Sequence, residues 1–466
     1  MKNLFTKILV LVLVLATTVA SFAGCKKKKG DSGADNPTDK ITITVAVNGT
    51  DPSEGALMNA WKTDYEKINT KVKIKIENFT SDYTQSMLQY VQSPSSMPDI
   101  IWTTGEKHAV WSENGAFLDL KTIDSALDTS DFYEEIVNAT HIDSRDTGIY
   151  FMPRDYNKCV LFINKTMFRA AGFTDEEING LKDGWNYEKF IATCERLETA
   201  MQSDANPTAG IRANSVPVDA RMDFNASYCS FMKHYGGEFI VDGEIDFLTD
   251  ANIQAYGKIY ELIKNNYIAD SARKNSATFT TLSAAMYIGV RPALPGMPQT
   301  ANYDIDFLPL PLDHVGVGCS GYAITMAAKQ RVSGSNYNEG KKTNDYYAYD
   351  FLKYISSIEG QRIGAQTGSI VPVRKSMAND SSWTSYMSAS LNHGAFISAP
   401  EKDFSLNIFQ DFNADDAATI MDSLSKVMAQ VIIAKNYENY ELNNYALLRE
   451  AISGFQNGVK DLRPKY

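Results

Sequence analysis

The sequence is poor in the residue patterns that hold metal ions or activate a nucleophile. Its 466 residues include five cysteines and five histidines, and no two cysteines form a C-x-x-C pair. It contains no H-E-x-x-H motif, no G-x-S-x-G motif and no phosphate-binding loop. We therefore predict no metal site, no cofactor and no catalytic residue.

Long apolar runs and excess positive charge are missing as well. After residue 24, no apolar segment approaches the roughly 20 residues that cross a bilayer. The formal net charge is -11, whereas a nucleic-acid-binding surface needs clustered positive charge. We therefore exclude nucleic acid as a partner and expect the body of the chain to lie outside the bilayer.

The N-terminus has the order of an export signal that ends at a cysteine. Lys2 and Lys7 precede an apolar run over 8–16, and small residues then lead to Cys25. The polar stretch 26–40 contains no aromatic residue, which predicts a disordered tether.

This arrangement resembles the lipobox of bacterial lipoproteins, although Phe22 stands where that motif usually has leucine. The resemblance implies a signal peptide over 1–24, cleavage before Cys25 and acylation of Cys25 with fatty acids such as palmitate. An ordinary signal peptide with a coincidental cysteine is the alternative.

Strands and helices alternate from residue 41 onward. The β-branched alternation predicts strands over 41–47 and 71–77, and a third, short strand is expected over 98–102. Helical spacing of apolar residues predicts one helix after each of the first two strands. Their expected buried faces are Leu57, Trp61, Tyr65 and Ile68 in the first helix, and Tyr83, Met87, Leu88 and Val91 in the second.

This order is typical of an α/β fold with a parallel sheet. In such sheets, ligands bind beyond the carboxyl ends of the strands, which here are followed by the loops 48–53 and 102–108. Further along, 279–289 is predicted as a short helix that runs into a strand, 303–311 as a strand, and 316–324 as a glycine-rich turn that leads into a strand. The main predicted helices open at 185–190, include 256–263, span 346–358 and make up most of 415–456.

Several short motifs carry a resemblance when they are read in order. The motifs occupy 97–100, 150–153, 161–168, 184–190, 236–239, 284–289, 307–311, 316–321, 351–356 and 368–374. Each is weak alone, but together they span most of residues 41–376. In this order they resemble the extracellular solute-binding proteins of ABC importers, in the family 1 class that includes maltose- and oligosaccharide-binding lipoproteins.

The resemblance implies a periplasmic-binding-protein-like fold, in which two α/β lobes are joined by segments that cross between them. The crossings would fall near 153–157, 311–316 and 368–372. Lobe 1 would be 41–152 plus 317–370, and lobe 2 would be 153–316 plus 371–466, with residues 25–40 as the lipidated tether. Hinged closure on a bound ligand is a known mode for such proteins.

The implied function is transport rather than catalysis. A monomer held by lipid at the extracellular face of the cell membrane would capture a solute, most simply a carbohydrate. It would then deliver that solute to an ABC permease.

Candidate ligand-binding residues lie in the two strand-end loops. Asn48 and Asp51 follow the first strand, and Trp102 and Glu106 follow the third. An aromatic face suits the C–H surface of a sugar ring, and carboxylates and amides suit its hydroxyls. Packing, turn formation and helix capping are the alternative roles of these residues.

Further candidates come from the implied crossings and the glycine-rich turn. Asp155 and Tyr156 lie at the first crossing, where an interlobe ion pair or hinge packing is the alternative role. Ser320 and Tyr322 lie in or beside the glycine-rich turn, where they are expected to meet the ligand.

In the family that the chain resembles, aromatic residues often occupy two later positions, and this chain matches one of them. The family often has a tryptophan shortly after the Ala-Met segment, but this chain has Arg291 there, which would suit an acidic or hydroxyl-rich ligand. Trp383 lies beyond the third crossing, near a stacking position of the family. By contrast, Trp61, Trp111 and Trp185 are predicted to be structural.

Two other functions remain as alternatives. An exported glycosidase would need two carboxyl groups about 5–10 Å apart, a separation that sequence does not give. A ligand-sensing lipoprotein of the same fold is a second alternative.

The remaining cysteines are predicted to be small buried residues, and one disulfide between two of them is the alternative. They are Cys159, Cys194, Cys229 and Cys319.

Overall fold

The computed structural model describes residues 40–49, 52–79, 82–270, 272–332, 342–434 and 445–466. The predicted signal peptide, Cys25, most of the tether and Asp51 lie outside these residues. The described residues all belong to one compact unit that begins at Lys40. None of its described helices is long and apolar enough to cross a membrane.

The structure contains short strands between many helices. The strands are β1 Ile41–Val47, β2 Val72–Asn78, β3 Ile100–Thr104, β4 Met152–Pro153, β5 Asn157–Lys158, β6 Val160–Asn164, β7 Val216–Asp219, β8 Ile240–Val241, β9 Glu244–Ile245, β10 Ala284–Gly289, β11 Ile305–Pro309, β12 Val315–Gly318, β13 Ser320–Ile324 and β14 Asp403–Ser405.

The helices surround these strands. They are α1 Pro52–Ile68, α2 Tyr83–Gln92, α3 Ala109–Glu113, α4 Glu134–Asn138, α5 Lys165–Ala170, α6 Asp175–Gly180, α7 Tyr187–Gln202, α8 Asn225–His234, α9 Asp250–Lys264, α10 Met326–Gln330, α11 Asn344–Ser356, α12 Ile358–Ala365, α13 Ser381–Thr384, α14 Ala414–Lys426 and α15 Ala446–Asn457. A π-helical turn, Val427–Ile432, directly follows α14.

The first sheet has the strand order β2-β1-β3-β13-β4. Strand β1 runs parallel to β2 and β3, which confirms the predicted parallel sheet, and β13 is antiparallel to β3. In β2, Val72 and Ile74 are buried and Lys73 and Lys75 are exposed, as the alternating sequence requires. Because parallel strands end at the same edge, the loops after β1, β2 and β3 gather there.

The second sheet has the order β11-β6-β10-β7. Strand β10 is parallel to β7 and antiparallel to β6. The two faces of this sheet contribute to two separate clusters of buried apolar side chains. Phe162 and Leu161, neighbours on β6 that point to opposite faces, lie in different clusters. Helices and loops therefore cover this sheet on both sides, and its strands read as continuous apolar runs.

A third, small sheet joins β14, β12 and β5. Strands β5 and β12 lie beside the first and second predicted crossings. Near the third, the backbone N–H of Tyr156 donates to the carbonyl of Val371 at 3.0 Å, so that segment runs along the first crossing. The lobe boundaries given above stay predictions.

Two predicted helix faces were partly wrong. Leu57, Trp61 and Tyr65 of α1 are buried as expected, but Ile68 is 59% exposed because it ends the helix. In α2, Tyr83 and Met87 are buried whereas Leu88 and Val91 are largely exposed. Helix α2 is therefore anchored at its N-terminal half, and Leu88 borders the cavity described below.

The four later cysteines are buried free thiols, which confirms their prediction as small core residues. They are Cys159, Cys194, Cys229 and Cys319. Burial raises the pKa of the Cys159 thiol to about 12, so this group is neutral and unreactive at physiological pH.

Candidate functional site

Aromatic side chains gather where β3 leaves the first sheet. Trp102 is only 7% exposed, and its ring lies 5.9 Å from the ring of Tyr83 in an edge-to-face arrangement. The Tyr83 hydroxyl lies 2.8 Å from Oγ1 of Thr103, which holds its ring in place. The Nζ of Lys107 lies 5.6 Å from the centre of the same tyrosine ring.

A cavity of about 400 Å³ opens beside this aromatic pair. One wall is formed by α2, the loop after β3 and α3, and the other by residues 407–418. Its aromatic lining is Tyr83, Trp111, Phe409 and Phe412, and its polar lining includes Glu106, Lys107, Asn407 and Gln410. We call this space the first cavity.

Polar atoms in and near the first cavity lack partners. In the described part of the chain, Nδ2 of Asn407 and Oε1 of Gln410 are buried without a hydrogen bond. The same holds for Nε1 of Trp102 and Oγ1 of Thr104 in the adjoining strand. Buried polar groups in folded proteins are nearly always paired. Because Asn407 and Gln410 line the cavity, their unpaired amide atoms are suited to a hydroxyl-bearing molecule placed among its aromatic faces.

Glu106 connects the first cavity to the helix α8. Its carboxylate lines the cavity, and its Oε1 lies 3.4 Å from Nδ2 of Asn225 at the start of α8. The loop after β3 thus meets the region that follows β7 in the second sheet. Asn48, at the end of β1, is half-buried and is not among the residues that line the first cavity.

Three predicted ligand residues lie together in a buried polar network. Arg154 donates hydrogen bonds to Glu54 of α1 and to Asp155, the latter at 3.1 Å, and Tyr322 donates to Glu54. Asp155 also accepts the backbone N–H of Ser320 at 2.8 Å. Burial raises the pKa of Glu54 and the positive charge of Arg154 opposes that rise.

This network satisfies its own members and does not line the first cavity. Asp155 and Tyr322 are fully buried, and Ser320 is 8% exposed. The structure thus brings these three predicted residues together at the junction of β4, β13 and α1. Tyr156 faces a different partner, because its hydroxyl donates to Asp403, which also pairs with Lys158. Burial raises the pKa of Asp403 to about 6.

Arg291 and Trp383 form a third, separate cluster. The Arg291 guanidinium donates to the carbonyls of Gly368 and Trp383, both at 2.9 Å, and lies 2.8 Å from Nδ1 of His393. Both predicted residues are fully buried, and Nε1 of Trp383 donates to the carbonyl of Met377. Neither lines the first cavity, because both side chains are packed inside the core.

Burial makes His108, close to the first cavity, a source of acid sensitivity. Its ring is fully buried, lies 5.0 Å from that of Phe151 and has Nδ1 3.1 Å from Oγ of Ser112. Burial lowers its pKa from 6.5 to about 4. The unfolded chain therefore binds this proton more readily, so the stability contributed by neutral His108 is lost as pH falls through 6.5 toward 4.

We expect the free energy of unfolding of the wild type, relative to that of His108→Gln, to fall by about 3 kcal/mol between pH 7 and pH 4. Urea unfolding at both pH values measures it. Carboxyl groups whose pKa is raised by burial, such as Asp219 and Asp403, stabilise the fold as the pH falls, opposite to His108. Because both proteins contain these groups, their contribution cancels in the comparison. The exposed His314→Gln serves as control, and a pH-independent difference for His108→Gln would contradict the assignment.

Sequence reasoning missed half of the first cavity. Of the predicted ligand residues, Glu106 lines the first cavity, and Trp102 packs against Tyr83 outside its lining. The sequence did not indicate Asn407, Phe409, Gln410 or Phe412, and it predicted only a structural role for Trp111, which also lines the cavity. A cluster of amides and aromatics over 407–412, with no strand or helix pattern, was the available signal.

Comparisons with known proteins place these features in context. A family model described as bacterial extracellular solute-binding protein matches residues 60–389. A search of curated protein sequences gave no match.

Solved structures match nearly the whole chain. An ABC substrate-binding protein from Listeria monocytogenes, in complex with cycloalternan, has a TM-score of 0.67 at 14% identity and covers 90% of this chain and 99% of its own. The GacH receptor of Streptomyces glaucescens, studied with acarbose, has a TM-score of 0.66 at 18% identity, with 90% and 98% covered. UgpB from Mycobacterium tuberculosis, in complex with glycerophosphocholine, has 0.66 at 15% identity, with 90% and 98% covered. At such identities the likeness establishes the two-lobed fold alone.

Proposed function

The chain belongs to the bacterial extracellular solute-binding proteins, and from that premise we propose that it captures a carbohydrate and delivers it to an ABC permease. The single observation that supports the solute class is the first cavity. Aromatic rings line it, and the buried Nδ2 of Asn407 and Oε1 of Gln410 have no partners among the described residues.

A carbohydrate suits this lining for physical reasons. Ring C–H groups pack on aromatic faces, and hydroxyl groups both donate and accept, so they can pair with an amide N–H and an amide oxygen at once. Each such hydrogen bond contributes only about 0.5–1.5 kcal/mol, because water is displaced from both partners. Several bonds in a preformed cavity are therefore needed for useful affinity. Similar folds solved with cycloalternan and acarbose are consistent with this solute class.

The predicted lipid anchor gives the capture step a location. Acylated Cys25 would hold the protein at the outer face of the cell membrane, and two or more acyl chains bind firmly where one binds marginally. The fifteen residues 26–40 would span about 20 Å as a flexible coil. That reach would keep the cavity close to a permease in the same membrane.

Replacing Cys25 by serine is expected to move the protein from the membrane fraction to the culture medium. Metabolic labelling with a fatty acid should mark the wild type and leave Cys25→Ser unlabelled, since the acyl chain has no thiol to modify. Cys159→Ala, which removes a buried thiol, should keep both the label and the membrane location. Equal labelling of wild type and Cys25→Ser would rule out the anchor.

The proposed role is binding without turnover. Incubating the full chain with oligosaccharides and analysing the mixture by mass spectrometry tests this part. We expect the carbohydrates to be recovered intact, and cells lacking the chain to lose uptake of the bound one. Cleavage of a carbohydrate by substoichiometric protein would instead indicate a glycosidase.

A further inference from the structure

A second cavity lies at the carboxyl end of β7. It measures about 250 Å³, and its polar lining includes Asp219, Arg221, Asp223, Lys274, Asn275 and Thr278. Strand β7 is parallel to β10, so this is the edge of the second sheet at which α/β proteins hold their ligands.

Arg221 is held in the second cavity in an unusual backbone conformation. Its φ is 47°, in the left-handed region that residues other than glycine seldom adopt. Its Nη1 lies 3.4 Å from the hydroxyl of Tyr287, and its guanidinium carbon lies 4.9 Å from the centre of the Phe224 ring. These contacts orient a side chain that remains exposed. Strain of this kind persists mainly where surrounding structure and function require it.

The guanidinium of Arg221 has no ion-pair partner in the described chain, whereas the neighbouring charges have other partners. Asp219 and Asp223 line the same cavity and, against the effect of burial, their negative charges help to raise the pKa of Arg221, but neither forms an ion pair with its guanidinium. Asp223 lies 4.0 Å from the Nζ of Lys274, and Asp219 accepts the backbone N–H of Phe279 at 3.3 Å. Most of the five N–H donors of Arg221 are therefore available to a ligand.

A short stretch of chain connects the lining of the second cavity to that of the first. Asn225 follows Asp223 by two residues and contacts Glu106, which lines the first cavity. A solute that spans this contact would place its ring against the aromatic lining of the first cavity. Its other end would then meet Arg221.

We propose that Arg221 binds a carboxylate or phosphate group of the solute, so that the carbohydrate captured by this chain is an acidic one. This inference rests on the proposed carbohydrate-binding function and narrows its solute class. A guanidinium matches both anions by paired hydrogen bonds, which a lysine ammonium does not provide. Arg291, the arginine that the sequence suggested for this role, is buried and has all its contacts within the protein.

Calorimetric titration of the full chain in mild detergent tests the proposal. The probes are glucose, galactose, mannose and their β-1,4-linked disaccharides, each in neutral, uronate and 6-phosphate form. We expect an acidic form to bind at least about tenfold more tightly than its neutral counterpart, and the preferred anion identifies the group. Its Kd should rise severalfold between 50 and 500 mM NaCl, because salt screens a charge pair at an accessible site.

Two variants of Arg221 separate binding from folding. Arg221→Gln should weaken the acidic ligand at least about tenfold, remove the salt dependence and leave neutral ligands within about twofold. Arg221→Gly should lose the acidic ligand equally while melting close to the wild type, because relief of the strain at this φ offsets the lost contacts with Tyr287 and Phe224. The control Arg196→Gln removes an exposed guanidinium paired with Glu177 and should change no affinity.

The possible outcomes are distinct. If neutral carbohydrates bind as tightly as the acidic forms, or if Arg221→Gln leaves the acidic ligand unaffected, the assignment of Arg221 is overturned and the proposed function stands. If no probe of either kind binds, the carbohydrate-binding function itself is overturned.

Discussion

Replacing Arg154 by methionine is expected to lower the free energy of unfolding by about 3–5 kcal/mol. Arg154 is 3% exposed and is the cation of a network that contains Glu54, Asp155 and the hydroxyl of Tyr322. Without it, two fully buried carboxyl groups lose their positive partner. Leaving a buried charge uncompensated costs far more than the original pair contributes.

Urea unfolding of Arg154→Met measures this loss, and two further variants define its cause. Arg362→Met removes a 54% exposed arginine that pairs with Asp380 at 2.9 Å, and it should cost less than about 1 kcal/mol. Adding Glu54→Gln to Arg154→Met should restore part of the stability, because one unpaired carboxylate is removed. If Arg154→Met costs no more than Arg362→Met, the network does not stabilise the fold as described.

The double substitution Asn407→Ala plus Gln410→Ala is expected to weaken carbohydrate binding about tenfold to a hundredfold. Two hydrogen bonds from the solute to these amides would be lost, each contributing about 0.5–1.5 kcal/mol. Stability of the ligand-free protein should stay within about 1 kcal/mol of the wild type, because the deleted atoms have no partners in the described structure.

Calorimetry on the wild type and the double variant checks this prediction. The matched control is Asn379→Ala plus Gln254→Ala, which removes the same two amides from exposed positions outside the first cavity. It should leave affinity unchanged. Unchanged affinity in the Asn407/Gln410 variant would exclude the first cavity as the solute site.

The order of elements could be predicted from the sequence because local patterns determine it. The alternation over 41–47 predicted β1 with its observed bounds, and the strands near 74 and 100 were displaced by two residues or fewer. Similarly, the glycine-rich segment before 324 became β12 and β13. The order of these elements predicted the α/β class, whereas the two-lobed fold was implied by the family resemblance, and the solved structures support it.

The candidate site was harder to predict because it depends on contacts between distant segments. Arg291 and Trp383 looked available in the sequence, but they are joined to each other by a hydrogen bond over 92 residues and buried. Asp155 and Tyr322 are likewise buried with Arg154 and Glu54, residues up to 268 positions apart. Conversely, Asn407 and Gln410 face the loop after β3 across some 300 residues, a pairing that no local pattern encodes.

A thermal-shift screen of the full chain against neutral and acidic mono- and oligosaccharides tests the central claim most directly. Because ligand binds only the folded state, a carbohydrate at 100 times its Kd should add about 2.7 kcal/mol of stability and raise the melting temperature. We predict such a saturable rise for at least one carbohydrate. A screen in which peptides or other solutes raise the melting temperature and no carbohydrate does would contradict the account.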